Sequence, residues 1–445
     1  MSQTGKIVEV MFEKVVQTFE NQDQMLSLVD FNPMNAQDAQ NSSGGSDGSD
    51  FPHDYGQGVV WKPVQQHSAI QDGYDLTDKE TDIIEETVPC LLGTPKNDFF
   101  KQRADSMRDT RFWERRGEQA GMKLATTLNQ QIAEACSVQG SLYYETNVAN
   151  GFDALGIGQA MLNERENLKG DSRWCVLSDR AQLKYSGDLA GRGTLTNRPE
   201  DAYADGLIGK NVAGFDVYTG SYTVNQGSAT VNEALVSLGA QGKSSTNDSF
   251  IPTAGSVNAT TGVVTNVDYR VGTLNVAATD GMVVGDKITI SSCNSVSLAD
   301  KTDTGELMTF TVVGVVTDTS IDVYPKPILV NLDDGGSVNE PLYQAYGNCT
   351  GALVAGTIVQ LNTAGGRSNI FACKNAIAVN GGTLPANLLN EFGGMKVVNA
   401  TMSNGQAIYM AYDGSINDLT FNCRIFSLWG VTVLDPSACG SFVAT

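Results

Sequence analysis

Residues from about 222 to 346 lack helical patterns and instead carry a succession of short strand patterns. The segments are TGVVTNV, GTLNVAA, DKITISS, LMTFTVVGVV and SIDVYPKP, and turns rich in Gly, Asp, Asn and Thr separate them. This spacing is typical of a small all-β barrel or sandwich. Because mixed helix and strand patterns lie on both sides, the sequence predicts an α+β chain with an inserted all-β domain.

Helices are predicted in the flanking regions from apolar residues that recur at helical spacing. The predicted helices cover 6–28, 105–138, 158–168, 179–185 and 386–392. Gly117 and Gly121 lie four residues apart on one face of the long second helix. Each costs about 1 kcal/mol relative to Ala in a helix. The two glycines therefore indicate either close backbone packing or a bend in this helix.

A long excursion follows the first predicted helix. Residues 35–58 are rich in Gly, Ser and Asp without periodicity, which predicts a flexible loop too long for an ordinary connection. The next twenty residues, VVWKPVQQHSAIQDGYDLTD, predict a returning extended strand. Such an excursion predicts an arm that packs on something other than its own domain.

Charge and cysteine content restrict the function classes. The 445 residues include 50 acidic and 29 basic ones, a net charge of −21 that repels nucleic acid and anionic membranes at long range. No signal peptide and no apolar window of about eighteen residues is recognisable. The eight cysteines form no CxxC pair, which favours free buried thiols in a reducing cytoplasm over disulfides or a zinc site.

The sequence offers no constellation of catalytic residues. The two histidines, His53 and His67, lack a third ligand at usable spacing for a metal. The acidic segment SDGSDFPHD lacks the ligand spacing of an EF-hand, GLIGKN is too short for a phosphate loop, and no G-x-S-x-G motif occurs. We therefore predict a protein that is not an enzyme and that carries no cofactor or metal.

The most charge-dense stretch is NDFFKQRADSMRDTRFWERR, Asn97 to Arg116. On a helix it would form surface pairs worth a few tenths of a kcal/mol each; these are Lys101/Asp105, Asp105/Arg108 and Arg111/Glu114. A solvated helix start is the simplest interpretation. Arg108, Arg111 and Arg115 also form a stripe of one sign, which suits bidentate pairing with carboxylates of a neighbouring copy. Phosphate is the competing partner.

Several segments, in this order, resemble the major coat protein of P-twenty-two-like short-tailed bacteriophages. They are WKPVQQHSAIQDGYDLTDKET (61–81), the charge-dense stretch, VAGFD (212–216), GMVVGDKITI (281–290), VYPKPI (323–328) and LPAN (384–387). The resemblance implies the HK-ninety-seven-like capsid fold with an inserted β-barrel domain. The implied parts are an N-terminal arm helix (1–30), an E-loop (31–80), a peripheral domain with a spine helix (81–149), a first axial part (150–221), the insertion (222–346) and the remainder of the axial domain with a return to the peripheral domain (347–445).

The resemblance also implies a function and partners. Subunits of this family form hexamers and pentamers around a scaffolding protein, without covalent cross-links. The shell then expands when double-stranded DNA enters through a portal protein. The implied location is the virion, after assembly in the cytoplasm of a bacterial host, with no membrane partner. The acidic E-loop tip (Ser42–Asp50) suggests that contacts there differ from the family's or need a decoration protein.

Individual contact residues are carried over from the family onto this sequence. Scaffolding contacts are expected at Glu9, Glu13 and Glu20, with a solvated helix face as the alternative. The inserted-domain loop that would contact a neighbouring capsomer covers Ile251–Arg270, with Asn258, Thr260, Asp268 and Arg270. Its low charge departs from the family and argues against salt bridges there. The expected inter-subunit contacts are Trp61, Asp75, Asp78, Lys79, Arg103, Arg108, Asp109, Arg111, Arg115 and Arg116; Gly117 and Gly121 are the expected spine-helix bend.

Two other function classes stay open at this point. One is a phage decoration or surface-binding protein with an immunoglobulin-like insert, against which the long helix and the missing signal peptide argue. The other is a hydrolase on an α/β scaffold, for which the sequence supplies no catalytic set.

Overall fold

A computed structural model describes most of the chain. The described residues are 3–34, 57–63, 74, 77, 85–91, 94–103, 110–146, 151–165, 172–191, 207–227, 233–236, 256–257, 264–265, 270–276, 281–297, 301–328, 330, 347–350, 356–360, 365–382, 396–415 and 420–444.

Two helices from the N-terminal third of the chain pack along each other. They are α1 (Gln3–Gln22) and α2 (Thr110–Gln139). Both bury an apolar stripe at helical spacing, as the sequence predicts. The buried residues include Met11, Val15 and Phe19 on α1 and Trp113, Ala120, Leu124, Leu128 and Ile132 on α2. These side chains belong to the main hydrophobic core.

The predicted limit of the first helix needs correction. α1 ends at Gln22 and turns follow it, rather than a helix to residue 28. α2 is described from Thr110, and residues 104–109, where the second helix was predicted to start, lie outside the described residues. Strand β4 (Lys96–Arg103) precedes it and shows strictly alternating exposure along its eight residues. The charge-dense stretch is therefore divided between a strand and a helix, since the two-residue period of 96–103 fits a sheet.

A mixed sheet forms the centre of the body, in the order β5-β25-β19-β6-β8-β7, with β9 paired to β19. The C-terminal strand lies between β5, to which it runs parallel, and the antiparallel β19. Two helices accompany this sheet, α3 (Gly151–Glu164) and α4 (Asp179–Gly191). Both helices were predicted, but α3 begins seven residues before the predicted 158–168 and α4 extends six residues beyond the predicted 179–185. The strands are β5 (Leu142–Thr146), β6 (Arg173–Leu177), β7 (Leu207–Val212), β8 (Phe215–Thr219), β9 (Asn225–Gln226), β19 (Gly366–Cys373) and β25 (Cys439–Ala444).

Smaller sheets complete the body. A four-stranded antiparallel sheet has the order β21-β22-β23-β4, so β4 lies at one end of it. A three-stranded sheet has the order β1-β20-β24, and β2 pairs with β3 antiparallel. The strands are β1 (Asp30–Met34), β2 (Gln57–Pro63), β3 (Glu85–Leu91), β20 (Ile377–Gly382), β21 (Lys396–Thr401), β22 (Ala407–Ser415), β23 (Thr420–Ser427) and β24 (Trp429–Val433).

The predicted all-β region forms a sheet with its own core, which we call the β unit (residues 233–360). The described strands have the order β10-β18-β14-β15-β16-β13, with β17 paired to β14. They are β10 (Glu233–Val236), β13 (Gly272–Asn275), β14 (Lys287–Val296), β15 (Asp303–Thr317), β16 (Ser320–Tyr324), β17 (Cys349–Thr350) and β18 (Gly356–Gln360), and a separate ribbon pairs β11 (Ser256–Val257) with β12 (Val264–Thr265). Since β17 and β18 belong to this sheet, it extends beyond residue 346.

The core of the β unit is separate from the core of the body. It contains Leu274, Ile288, Ile290, Phe310, Val312, Ile321 and Val323. The two cores and the mixture of helices with parallel and antiparallel strands confirm the predicted α+β class. The predicted helix at 386–392 and most of the 35–58 loop lie outside the described residues.

Candidate functional site

The arginines of the charge-dense stretch fall into two groups. Arg103, at the end of β4, and Arg111 and Arg115, on the first turns of α2, are exposed. Arg108 and Asp109 lie outside the described residues. The predicted pairing of Lys101 with Asp105 assumed a helix, but Lys101 lies in strand β4. A strand does not bring residues i and i+4 together as a helix does.

Arg116 serves the subunit's own structure. Its guanidinium forms an ion pair with the Asp98 carboxylate at 2.8 Å, and both side chains are mostly buried. The same guanidinium lies over the Phe100 ring, 4.5 Å from its centroid. Lys123 approaches the other Asp98 oxygen at 3.7 Å. Arg116 therefore connects α2 to β4, and its contacts here are intramolecular.

The paired glycines of α2 lie where α1 crosses it. A Cβ added at Gly117 would come within 2.6 Å of the Met11 carbonyl oxygen, and one at Gly121 within 2.6 Å of the Val15 carbonyl oxygen. Real Cβ atoms essentially never show contacts this short. Of the two predicted explanations, this geometry supports close backbone packing, since glycine alone leaves room for the neighbouring helix.

The acidic residues of α1 are all exposed but differ in their contacts. Glu9, Glu13 and Glu20 are exposed. The Glu20 carboxylate, however, accepts hydrogen bonds from the Ser403 backbone N–H at 3.3 Å and from its hydroxyl at 3.4 Å. Glu9 and Glu13 thus form the acidic outer face of α1, whereas Glu20 helps to hold the end of α1 on the body.

The end of α1 is fixed by polar residues that sequence patterns did not reveal. The Asn129 amide on α2 donates to the Gln22 carbonyl at 3.1 Å and accepts from the Met25 N–H at 3.3 Å. Asp23 accepts from the Leu26 N–H at 3.2 Å and from the Asn404 amide at 3.3 Å. Burial raises the pKa of Asp23 to about 6, and the hydrogen bond from Leu26 opposes this shift.

Arg270, expected on a projecting loop, is buried between the β unit and the body. Its guanidinium donates to the carbonyls of Val433 at 2.7 Å and Leu434 at 3.0 Å, and lies 5.1 Å from the Tyr324 ring centroid. Asn258, Thr260 and Asp268 lie outside the described residues. The structure therefore places Arg270 in an intramolecular contact.

A second buried cation lies at the same boundary. The Lys287 ammonium donates to the Gly140 carbonyl at 2.8 Å and to the Thr311 hydroxyl at 2.7 Å. Burial lowers the pKa of Lys287 to about 7, and the nearby Cys439 and Cys136 thiols act in the opposite direction. Sequence reasoning missed this residue, because GDKITI reads as an ordinary strand start whose lysine faces water.

The structure describes part of the predicted E-loop. Trp61 lies in β2, opposite Thr87 of β3, and its side chain is not among the described ones. Asp75, Asp78 and Lys79 lie outside the described residues. The strand predicted after the loop is confirmed over 57–63.

The cysteines, the possible metal ligands and the helices bear on other classes of site in the described part of the chain. None of the eight cysteines forms a disulfide, and all are buried, as the sequence predicts. Within the described ranges, no three His, Cys, Asp or Glu side chains gather to hold a metal ion. None of the helices described has the length and apolarity needed to cross a membrane.

Comparison with known proteins gives matches to phage coats. The family model described as "P22 coat protein - gene protein 5" matches residues 1–443. The capsid structure of the cyanophage P-SCSP1u is 11% identical, with a TM-score of 0.42 over 94% of this chain and 86% of that one. The capsid of Ralstonia phage GP4 is 9% identical, with a TM-score of 0.41 over 88% and 85%. The CUS-3 coat protein I-domain is 24% identical, with a TM-score of 0.20 over 30% of this chain and 97% of that one.

The family match covers nearly the whole chain, and it agrees with the resemblance seen in the sequence. A match of this extent includes the body, the long helix α2 and the β unit. The chain therefore belongs to the P22 coat protein family and is a bacteriophage capsid protein.

Proposed function

We propose that this capsid protein assembles with a scaffolding protein into an icosahedral shell of hexamers and pentamers. The shell encloses double-stranded DNA that enters through a portal protein, and non-covalent contacts hold the subunits together. The family match over residues 1–443 is the observation that carries this proposal. The role is structural rather than enzymatic, and the assembled protein belongs to the virion after assembly in the bacterial cytoplasm.

The acidic balance of the chain supports this role. A net charge of −21 per subunit keeps the protein from binding the DNA that moves within the shell. Sequence-specific DNA binding is not part of the proposal. Glu9 and Glu13 on the outer face of α1 are the proposed contacts for a basic segment of the scaffolding protein. A decoration protein is a further candidate partner at the acidic E-loop tip.

Assembly itself is the first test. The chain co-expressed with its scaffolding protein is expected to give closed shells of uniform diameter by electron microscopy. A soluble monomer or dimer under all conditions of concentration and scaffold would contradict the proposal.

The exposed arginines at the start of α2 are the proposed inter-subunit contacts. Arg111 and Arg115 lie one turn apart on α2, and Arg103 ends β4 in the same stretch of sequence; Arg108 lies outside the described residues. Arginine pairs well with carboxylates, and a neighbouring copy with a surplus of acidic residues supplies them. Arg116 is not included in this surface, since it already pairs with Asp98.

Reversing both charges tests the arginine contact. We expect Arg111→Glu with Arg115→Glu to leave the subunit folded, with an unchanged circular dichroism spectrum, but to abolish shells in the same assembly assay. The physical reason is that like charges then face each other between copies.

The chain offers a matched control on another helix. Arg180 and Lys184 are exposed on α4 at the same i,i+4 spacing. Arg180→Glu with Lys184→Glu changes the net charge by the same amount, and shells are expected to form. If both double variants fail, total charge rather than a local contact controls assembly; if neither fails, the arginine contact is wrong.

A further inference from the structure

The boundary between the β unit and the body is crossed by three buried cations. We call this boundary the junction. Lys287 and Arg270 belong to the β unit and donate to the body, whereas Arg165, at the end of α3, belongs to the body and donates to the β unit. All three side chains are almost completely buried. The cations therefore connect the two parts in both directions.

Lys287 binds the body at the C-terminal end of α2. Its ammonium donates to the Gly140 carbonyl at 2.8 Å and approaches the Val138 carbonyl at 3.5 Å. The Thr311 hydroxyl, from the neighbouring strand β15, accepts from Lys287 at 2.7 Å and donates to the Gly140 carbonyl at 3.0 Å. The last carbonyls of a helix lack partners within it and carry partial negative charge, so a cation is favoured there.

The other two cations lie near residues 433–436 of the body. Arg270 donates to the Val433 and Leu434 carbonyls. Arg165 donates to the Met308 sulfur at 3.1 Å; burial lowers the pKa of Arg165 to about 10, and the Asp435 carboxylate opposes this shift. The Ser141 N–H, just after α2, donates to the Pro436 carbonyl at 3.0 Å. Thus the end of α2 and residues 433–436 form one polar platform that receives the β unit.

The hydrogen bonds of the buried cations make the junction directional. An apolar surface tolerates sliding and rotation, whereas a buried cation is stable only where carbonyl oxygens meet its N–H groups. Moving the β unit by a few ångströms would leave Lys287 and the Gly140 carbonyl buried without each other. Buried charges of this kind can specify one arrangement instead of adding stability.

We propose that Lys287 is the positioning residue that docks the β unit in a single orientation on the end of α2, with Thr311 as the bridging group. This role belongs to the isolated subunit and goes beyond the proposed assembly function. It predicts that loss of the Lys287 ammonium leaves both parts folded but loosens the junction between them.

Amide hydrogen exchange of the purified full-length subunit tests the proposal. The Gly140 N–H, bonded to the Cys136 carbonyl, and the Ser141 N–H report on the body side of the junction, and the Cys349 N–H, bonded to the Ile328 carbonyl, reports on the β unit. Lys287→Met is expected to speed exchange at Gly140 and Ser141 by about tenfold or more, as for loss of a hydrogen bond to a charged group. Exchange at Cys349 is expected to stay within about twofold of wild type.

Lys301 supplies the matched control, because it is also a buried lysine that donates to a carbonyl. Its partner is Gly347, at 3.0 Å, so this bond lies within the β unit. Lys301→Met is expected to give the opposite pattern, with faster exchange at Cys349 and unchanged exchange at Gly140 and Ser141. If both variants accelerate the same amides, or if Lys287→Met leaves Gly140 and Ser141 unchanged, the proposal is overturned.

A milder variant covers the case in which Lys287→Met does not fold. Thr311→Val keeps the shape of the side chain and removes only the bridging hydroxyl. It is expected to accelerate exchange at Gly140 and Ser141, to a smaller extent than Lys287→Met. Wild-type exchange at these amides in Thr311→Val would overturn the proposal if Lys287→Met is unfolded.

Discussion

The α1–α2 pair and the junction of the β unit are both contacts between segments far apart in sequence, but they rest on different chemistry. α1 and α2 meet through apolar side chains and through backbone that passes directly over Gly117 and Gly121. The junction joins its two parts through Lys287, Arg270 and Arg165. One contact depends on volume and the other on buried hydrogen bonds from basic side chains.

This difference decides how each contact should respond to change. A close-packed helix crossing is sensitive to added atoms but largely indifferent to pH. A contact made by a buried lysine tolerates changes of apolar volume nearby better than it tolerates loss of its hydrogen bonds. The variants below separate these two responses.

The largest effect is expected from filling the helix crossing. Gly121→Leu introduces a side chain whose Cβ alone would lie 2.6 Å from the Val15 carbonyl oxygen. The helices must separate, so we expect the free energy of unfolding to fall by about 3 kcal/mol, the upper end for overpacking. Denaturant titration of the purified subunit measures this change.

Gly156 on α3 is the control for that substitution. A Cβ there would meet nothing within 4 Å. Gly156→Leu therefore gains about 0.5–1 kcal/mol of helix propensity without a clash. If Gly121→Leu were as stable as Gly156→Leu, the close crossing of α1 over α2 would be wrong.

The helix crossing was largely predictable from sequence. The spacing of Met11, Val15 and Phe19 predicted one apolar face, and two glycines four residues apart indicated either a close approach or a bend. Strand β4 was not predicted, because the charged residues in NDFFKQR fit a helix as well as a strand. Only pairing of β4 with β23 decides between them, and such pairing depends on residues more than 300 positions away.

A medium effect is expected from pH acting on Lys287. Its pKa of about 7 in the folded protein lies below the ordinary value of 10.5, so the unfolded chain binds more protons between these values. Stability attributable to Lys287 therefore increases as pH rises from 7 toward 10.5. Between pH 7.5 and 9 the gain is about 2 kcal/mol, relative to Lys287→Met.

Denaturant titrations of wild type and Lys287→Met across this pH range give the comparison. Lys301→Met serves again as the control with the same change of residue type. Parallel pH profiles for wild type and Lys287→Met would show that the lysine does not titrate below its ordinary range, and that its burial is weaker than the structure indicates.

The junction could not have been predicted from sequence. Lys287, Arg165 and Arg270 each lie more than 100 positions from the group that they contact across the junction, and each is surrounded by an ordinary strand or helix pattern. Their burial follows from how the β unit docks on the body, which no local period encodes. For the same reason, Arg270 was assigned to an exposed loop although it binds the Val433 and Leu434 carbonyls.

The smallest effect concerns Asp23, at the end of α1, and it has the opposite sign to that of Lys287. The pKa of Asp23 is raised from 3.8 to about 6, so the folded protein binds more protons than the unfolded chain in this range. Stability attributable to Asp23 is therefore present below pH 3.8 and is lost as pH rises through 6. From pH 5 to 7.5 the loss is about 1 kcal/mol.

Asp23→Asn should remove this loss, because the amide oxygen can still accept from the Leu26 N–H without carrying charge. We expect the variant to lose less stability than wild type between pH 5 and 7.5. Above pH 7.5 its stability profile is expected to differ from that of Lys287→Met. Glu134→Gln, which removes an exposed carboxylate of α2, controls for a general effect of charge. A variant with the wild-type slope would mean that the end of α1 is more hydrated than its contacts with Asn404 indicate. The two regions would then differ in pH response as well as in volume sensitivity, since only the junction would retain a buried group that responds to pH.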